Sequence, residues 1–395
     1  MTLSRRTVIA SAAIAPLALA GCASSDTAST GSTITVGFLA SQTGIYQPVG
    51  EDMINGFRLY LALHGNRLGG HRVHLVVGDE GLGPDKAVPA TTTMVKKDRI
   101  SLLAGGVGGG TVTAVQDLTR QAQIPFLAAN AGPDKPKLEY LWQTSYLSTD
   151  PGTALAPQVL KDVRGPVYAV GPDYQGGWDE LRGFTAEFAK IGGKLANPGG
   201  KTLFIDMKVT DFTPYFARIQ ASGAKAVYAF FAGGAAIAFV KQYRQSPLAH
   251  LPLYGPGFLT EGTPTLNAEG SAALGVTTSL NYSADLDTAA NRAFVAAWSA
   301  RHPGTLPTTY AMASYDAAAV ADRAIAAATK DGNVPTPQQI NTAIGGLGQL
   351  PSPRGTWQFN KTTHAPAQPW YLRTVVKDGN SLANRQVKNL ATLGG

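Results

Sequence analysis

The chain has 395 residues, of which 44% are hydrophobic and 15% are charged, so it can bury one large core or, more readily, two. The formal net charge is +7, and removing residues 1–21 with Arg5 and Arg6 leaves 31 basic and 26 acidic residues, a charge of +5. No basic run or basic–aromatic strip carries this charge, so nucleic acid is not indicated as a partner. The single cysteine, Cys22, excludes an intramolecular disulfide and a cysteine-based metal site.

The N-terminal 32 residues have the pattern of an export signal and a tether. Arg5 and Arg6 resemble a Tat signal and precede the apolar run 8–20, which is too short to span a membrane with these flanks. The segment Leu19-Ala20-Gly21-Cys22 matches the bacterial lipobox, which implies cleavage before Cys22 and a lipid on its sulfur. A plain secretory signal with a chance cysteine is the alternative. We therefore expect a signal peptide at 1–21, a lipidated flexible tether at 22–32, and a membrane-anchored extracytoplasmic protein in the periplasm or at the cell surface.

The next segment alternates between apolar strands and amphipathic helices. Strands are predicted at 33–39, 71–77, 102–104 and 124–127, and helices at about 51–64, 84–97 and from Thr111 onward. This order is typical of βαβ units on a parallel sheet, where ligands bind beyond the carboxyl ends of the strands. The loops at 41–50, 105–111 and 128–133 lie at that edge, so we expect them to converge.

The glycine loop Gly105–Gly110 is the most distinctive of these strand exits. Glycines permit backbone angles barred to other residues and let a ligand approach the peptide groups. A helix beginning at Thr111 leaves free N–H groups and a partial positive charge, which favour an anionic or acceptor group. A tight turn with nothing bound is the alternative.

A second alternation follows a predicted crossover near residues 146–151. Its strand-exit loops are expected at 171–177, 231–234 and 255–260. We assign residues 33–147 to lobe 1, residues 148–275 to lobe 2, residues 276–350 to a return to lobe 1, and residues 351–395 to late strands of lobe 2 with the tail. In this interpretation the strand at 276–280 belongs to lobe 1. Two α/β lobes with facing loops would form a cleft, and several crossovers would form a hinge.

No constellation of catalytic residues is evident. Gly105–Gly110 lacks both a P-loop ending and the spacing of a dinucleotide-binding motif, and no Gly-x-Ser-x-Gly elbow is present. His71 and His74 should point to opposite faces of a strand, which does not suit a metal site. We therefore expect no enzyme activity, no metal and no cofactor, with a secreted hydrolase as a minor alternative.

Asp79-Glu80 could touch a ligand or, as we favour, brace a loop.

Several segments resemble one known family. The main matches are Ile34–Leu39, Thr43-Gly44 and Gly50–Gly56, and they are supported by Pro84–Val88, Asp173-Tyr174, Asp211–Thr213, Ser314–Ala318 and Gly355–Asn360. Together they resemble type I periplasmic binding proteins of the branched-chain amino acid class, which are substrate-binding proteins of ABC transporters, over residues 33 to 380. The resemblance implies an α/β fold with two Rossmann-like lobes and a three-crossover hinge. It also implies a monomer that captures a small solute by lobe closure and delivers it to the permease of an ABC importer. A sensory module for a membrane receptor is the alternative.

The family's amino-acid pocket transfers poorly to this sequence. Its serine falls at about Gly109, its alanine and threonine near Asn130 and Gly132, and its second-lobe tyrosine near Phe231. Its acidic residue, which pairs with the substrate ammonium, falls near Gly257 or Phe258. The candidate ligand-binding residues are Tyr46, Gly109, Gly110, Thr111, Asn130, Ala131, Tyr174, Phe231 and Phe258.

The missing acid bears on the ligand class. A buried ammonium without a partner costs several kcal/mol, so an ordinary α-amino acid is disfavoured. Backbone N–H groups at Gly109, Gly110 and Thr111 could still hold a carboxylate. We therefore expect a small carboxylate with an apolar or aromatic body, with a neutral amide-like solute as the next possibility.

Overall fold

The structure is a computed structural model that describes Thr2 and residues 32–133 and 137–394. The predicted signal peptide apart from Thr2, the lipobox with Cys22, and all of the predicted tether except Ser32 lie outside the described residues. From Ser32 onward the chain forms one compact unit. Among the described residues, no helix has the length and apolar content that a membrane span requires.

Helices and strands alternate along most of the chain. The helices are α1 (Gln47–Leu63), α2 (Pro84–Lys96), α3 (Gly109–Gln121), α4 (Asp150–Asp162), α5 (Gln175–Lys190), α6 (Thr213–Ala221), α7 (Gly233–Gln245), α8 (Thr263–Glu269), α9 (Ala289–Ser299), α10 (Thr309–Ala328) and α11 (Pro337–Gly345). The strands are β1 (Thr33–Ala40), β2 (Arg67–Leu68), β3 (His71–Asp79), β4 (Leu102–Gly105), β5 (Phe126–Ala128), β6 (Ala131–Gly132), β7 (Leu141–Gln143), β8 (Tyr146–Leu147), β9 (Val167–Pro172), β10 (Leu203–Ile205), β11 (Ala226–Ala229), β12 (Leu253–Pro256), β13 (Thr277–Leu280), β14 (Gln358–Phe359), β15 (Pro366–Asp378) and β16 (Ser381–Leu393).

The first sheet has six strands in the order β2-β3-β1-β4-β5-β7. Its centre is parallel, with Val36 of β1 opposite Leu75 of β3 on one side and Leu102 of β4 on the other. One face packs on α1 and α10, and the other packs on α2 and α3. Burial on both faces explains why the central strand β4 is continuously apolar rather than alternating. We call this sheet and its helices lobe 1.

The second sheet has eight strands, seven of them in the order β10-β9-β11-β12-β13-β15-β14, with β16 paired to β15. We call it and its helices lobe 2. The assignment of residues 276–280 to lobe 1 is wrong, because β13 pairs with β12 on one side and with β15 on the other. The sequence of a short apolar strand does not indicate which sheet the strand joins. Here the strands that pair with β13 on both sides belong to lobe 2. The return to lobe 1 therefore begins after Leu280.

The chain passes three times between the lobes: from β7 to α4, from β13 to α10, and from α11 to β14. The predicted α/β architecture of two Rossmann-like lobes joined by three crossovers is thus confirmed. Because β1, β3, β4, β5, β9, β11 and β12 are parallel, their carboxyl ends meet at the same edge of each sheet. That edge is where the ligand-binding loops of such sheets lie.

A buried polar cluster ties the crossovers together. Arg354, just before β14, forms an ion pair with Asp316 of α10, with 3.0 Å between Nη2 and Oδ2 and both side chains at most 2% exposed. The Arg354 guanidinium also donates to the backbone oxygens of Ser145 at 3.1 Å and Thr144 at 2.6 Å in the first crossover. Gln368 of β15 donates to the same Ser145 oxygen at 2.5 Å. These buried contacts therefore hold the crossover segments against one another.

Candidate functional site

A cavity lies between the lobes, and each of the six predicted strand-exit loops contributes at least one residue to it. About 430 Å³ of its space is free of protein atoms, which suits a small solute. Its lining consists of Tyr46, Val49, Val107, Gly108, Gly109, Asn130, Tyr146, Ser148, Tyr174, Gly176, Glu180, Phe230, Ala232, Phe258 and Tyr310. None of these side chains is basic. Any negative charge in the cavity must therefore be stabilised by backbone N–H groups, helix dipoles and neutral hydrogen-bond donors rather than by a cationic side chain.

Two helices begin at the cavity from opposite lobes. α3 begins at Gly109 and α5 at Gln175, and Gly110 lies within van der Waals reach of the Gln175 side chain. Among the described residues, the amide N–H groups of Gly109, Gly110 and Gly176 have no protein acceptor. The partial positive charge at a helix N-terminus and its free N–H groups favour a carboxylate here.

The glycine loop is held in place by Glu80, which is 2% exposed. The Val107 amide donates to Glu80 Oε2 at 2.9 Å, and the Gly108 amide donates to Oε1 at 3.2 Å. The Thr111 hydroxyl donates to the same Oε1 at 3.3 Å. Burial raises the pKa of Glu80 to about 7, although these three hydrogen bonds favour the ionised form. Of the two roles considered for this acid, the contacts are those of a loop brace.

Aromatic rings form the wall of the cavity. Phe258 lies at its centre, with ring centroids 5.4 Å from Tyr146, 5.9 Å from Phe230 and 5.9 Å from Tyr310. Tyr174 lies beyond Phe230, at 6.4 Å. Rings at these separations and angles present faces and edges that suit a flat apolar body.

Tyr46 and Tyr174 connect the lobes across the cavity. Tyr46 belongs to the first loop of lobe 1, and Tyr174 caps α5 in lobe 2. A side-chain hydrogen bond joins the two tyrosines, and burial raises the pKa of each. Both therefore remain neutral donors at physiological pH, and the lobes are in contact around the cavity.

Among the residues that the structure describes, Glu180 is the one carboxyl group that lines the cavity. Its side chain is 1% exposed, and its Oε2 has no hydrogen-bond partner among the described residues. Burial raises its pKa well above the usual range, and the nearby Asp150 and Asp179 raise it further. Burial also raises the pKa of Asp150, to about 7. Burial and the two neighbouring acids thus favour the protonated form of Glu180, which can donate a hydrogen bond to a ligand oxygen.

The structure brings five of the nine candidate residues to the cavity, namely Tyr46, Gly109, Asn130, Tyr174 and Phe258. Gly110 follows Gly109 in the first turn of α3 without lining the cavity. Thr111 is 1% exposed and its hydroxyl is bound to Glu80. Ala131 lies in the short strand β6, where it pairs with Tyr146 of β8.

Phe231 does not line this cavity. Its ring packs 5.2 Å from Phe212 and 4.5 Å from Phe239 in the core of lobe 2, whereas the adjacent Phe230 faces the cavity. Successive side chains at a strand end point to opposite sides, so a shift of one residue exchanges the two rings.

Sequence reasoning missed Glu180, Tyr146 and Tyr310. The family's acidic position falls near Gly257 or Phe258, where no acid is present, but α5 supplies Glu180, a carboxyl group that the family's pattern did not indicate. One signal was present: Glu180 lies four residues after Gly176, on the same face of α5, and it is followed at once by the buried Leu181. Tyr146 and Tyr310 reach the cavity from the crossover and from α10, which the loop pattern alone did not connect.

Residues 33–380 match the family described as periplasmic binding protein. This chain belongs to that family. The resemblance seen in the sequence is thereby confirmed. The periplasmic binding protein family is one of solute-binding proteins rather than of enzymes.

Three relatives illustrate the range of this family. Leu/Ile/Val-binding protein homolog 6 of Brucella melitensis biotype 1 is 28% identical over 390 residues, which cover 96% of this chain and 97% of that protein. A solute-binding protein of an ABC transporter from R. palustris, solved in complex with benzoate, is 30% identical, with a TM-score of 0.83 over 91% of this chain and 97% of that one. A second from R. palustris, solved with 4-hydroxybenzoate, is 26% identical with a TM-score of 0.83 over 91% and 97% of the two chains.

Proposed function

We propose that this protein binds an aromatic carboxylate of the benzoate class outside the cytoplasm and delivers it to an ABC importer. The observation that carries the ligand class is the composition of the cavity: two helix N-termini, a wall of aromatic rings and the buried Glu180, with no basic side chain. The lobes close around the solute, and no chemistry on it is expected.

The parts of such a ligand match separate parts of the cavity. The carboxylate would accept hydrogen bonds from the free N–H groups of Gly109, Gly110 and Gly176, whose helix dipoles favour negative charge. The ring would lie among Phe230, Phe258 and the neighbouring tyrosines. Glu180 would donate its proton to a ligand oxygen, which satisfies its buried Oε2. The two R. palustris proteins solved with benzoate and 4-hydroxybenzoate support this ligand class.

A branched-chain amino acid is the second candidate, favoured by Glu180 and by the name of the Brucella relative. If ionised, Glu180 could pair with the ammonium of such a ligand. That pairing would require Glu180 to lose its proton beside Asp150 and Asp179, both of which oppose ionisation. We therefore rank the amino acid below the aromatic carboxylate.

A thermal-shift screen with benzoate, 4-hydroxybenzoate, leucine and isoleucine tests the proposal. A ligand at a hundredfold excess over its dissociation constant stabilises the protein by about 2.7 kcal/mol. We expect benzoate or 4-hydroxybenzoate to give the largest rise in Tm, and recovery of the bound acid unchanged. If leucine or isoleucine gave the largest rise, the amino-acid candidate would replace the aromatic one.

We also propose that the protein is a monomer anchored to the membrane by lipid on Cys22, which the lipobox match supports. The change Cys22→Ser should release the protein from the membrane fraction while leaving solute binding intact. Retention of the variant in the membrane fraction would contradict the anchor.

A further inference from the structure

A buried carboxylate of lobe 2 reaches across to a helix of lobe 1. Glu261 lies three residues beyond Phe258, in the segment that follows β12, and it is buried. Its Oε1 accepts a hydrogen bond at 2.7 Å from the backbone amide of Thr309, the first residue of α10. Because α10 packs on the sheet of lobe 1, this bond joins the two lobes.

Arg373 holds the other oxygen of this carboxylate. Its Nη2 donates to Glu261 Oε2 at 2.8 Å, and both side chains are at most 4% exposed. The same guanidinium donates to the backbone oxygens of Tyr282 at 3.1 Å and Gly257 at 3.4 Å. Strand β15, the second crossover and the segment before Phe258 therefore meet at one buried ion pair.

The contacts of this ion pair end next to two residues of the solute cavity. Thr309 precedes Tyr310 in lobe 1, and Gly257 precedes Phe258 in lobe 2. Both rings line the cavity, with centroids 5.9 Å apart and planes inclined by 22°. The bond from the Thr309 amide to Glu261 therefore sets how closely the aromatic walls of the two lobes approach.

We propose that Glu261 is a positioning residue for solute binding, which holds the closed lobes together through the Thr309 amide and places Tyr310 against Phe258. A carboxylate at a helix N-terminus forms a charge-assisted hydrogen bond and is favoured by the helix dipole. Glu261 is not among the side chains that line the solute cavity, so it acts through the two rings. This inference rests on the proposed function, in which the lobes close around the solute.

The change Thr309→Pro removes the donor of the interlobe bond. Proline has no amide hydrogen, yet it is well accommodated at the first position of a helix. Thr308 before it has a φ of −95° and a ψ of 169°, the extended conformation that a residue preceding proline favours. Thr309→Val is the companion variant, because it keeps the amide and loses only the hydroxyl, which donates to Asn281 at 2.9 Å.

A matched control places proline at the start of a different helix. Ala289 is the first residue of α9 and also follows an extended threonine. Among the described residues its amide has no protein acceptor, so Ala289→Pro removes no hydrogen bond.

Calorimetric titration with benzoate and small-angle X-ray scattering compare these proteins. We expect T309P to bind benzoate about tenfold more weakly than T309V, and benzoate to reduce its radius of gyration less. A289P should match the wild type in both measurements. A contribution to stability alone would lower the Tm of T309P without changing its compaction by benzoate.

Glu261→Asp tests the same bond from the other lobe. Its carboxylate is one methylene shorter, so it keeps a charge beside Arg373 but no longer spans the distance to the Thr309 amide. It should bind benzoate about tenfold more weakly than the wild type and compact less. Truncation to alanine is less suitable, because it would leave Arg373 as a buried unpaired charge. If the Tm without solute shows that T309P is unfolded, E261D decides the outcome.

The outcomes separate this inference from the proposed function. Weaker binding and smaller compaction in T309P and E261D, but not in A289P, support the positioning role. If T309P equals T309V, if A289P loses as much as T309P, or if E261D equals the wild type, the positioning role is overturned while the proposed function stands. If benzoate does not bind the wild type, the proposed function fails and this inference fails with it.

Discussion

At the scale of single residues, Glu180 is the buried carboxyl group whose ionisation would set the charge of the cavity. It is fully enclosed and lies near Asp150 and Asp179, and each of these conditions favours its protonated form. A neutral Glu180 is compatible with an anionic ligand, whereas an ionised one would repel it.

The affinity for benzoate should therefore depend on pH. As the pH rises through the pKa of Glu180, ionisation places a second negative charge near the ligand carboxylate, and binding should weaken by about tenfold. The variant Glu180→Gln cannot ionise at this position, so the part of the pH dependence that Glu180 causes should be absent from it. Calorimetric titration at several pH values measures how the affinity of each protein for benzoate changes with pH. An equal change in the wild type and E180Q would show that Glu180 does not control the charge of the site.

Residue-level features were the hardest to predict from the sequence. The resemblance placed an aromatic side chain near Phe231, but the side chain that faces the cavity is Phe230. A shift of one residue at a strand end reverses the direction of every side chain, and sequence pattern alone does not determine the register. Glu180 was missed because its role depends on burial, which only the packing of α5 against the cavity creates.

At the scale of elements, the glycine loop between β4 and α3 shows why the site is preorganised. Gly105 has a φ of +103°, and a Cβ there would lie 2.1 Å from the backbone oxygen of Leu39. This residue must be glycine for β4 to pass β1 so closely. Beyond it, Glu80 binds the two amides that precede α3, so the helix begins at a fixed position.

Removal of this brace should loosen the end of the cavity where we propose that the carboxylate binds. In Glu80→Ala, the buried amides of Val107 and Gly108 lose their acceptor, at a cost of about 1–3 kcal/mol each. We expect a lower Tm and about tenfold weaker benzoate binding, because the first turn of α3 is no longer held. Asp85→Ala is a suitable control, since it removes an exposed acid from the neighbouring α2. If E80A and D85A bound benzoate equally well, Glu80 would not be needed to hold the first turn of α3 for binding.

The sequence predicted most elements of both sheets, because the period of apolar residues and the Gly and Pro boundaries are local signals. It predicted the glycine loop and its position before a helix for the same reason. It did not predict the sheet to which β13 belongs, since strand partners are distant in sequence.

At the scale of the whole molecule, the crossovers are held by the buried cluster around Arg354. Besides its ion pair with Asp316, the Arg354 guanidinium lies 4.7 Å from the centre of the Trp357 ring. Asn281, in the second crossover, donates to the same Ser145 backbone oxygen at 3.2 Å, so all three crossovers meet at this cluster. Nothing in the sequence pattern indicated it, because its members are separated by up to 223 positions.

Arg354 should therefore be important for stability. The variant Arg354→Ala leaves Asp316 as a buried unpaired carboxylate, and we expect the free energy of unfolding to fall by about 3–5 kcal/mol. The paired change Arg354→Met with Asp316→Leu removes both charges and should lose less. Urea unfolding of the three proteins measures this difference. A loss of less than about 1 kcal/mol in R354A would show that the cluster contributes little to stability.

A crystal structure of the protein with benzoate would show whether the cavity holds an aromatic carboxylate with its charged end at the two helix N-termini. We expect the carboxylate to lie within hydrogen-bond distance of the Gly109, Gly110 or Gly176 amides, and the ring to lie among Phe230, Phe258 and Tyr146. A carboxylate directed away from α3 and α5, or a bound amino acid with its ammonium on Glu180, would contradict it.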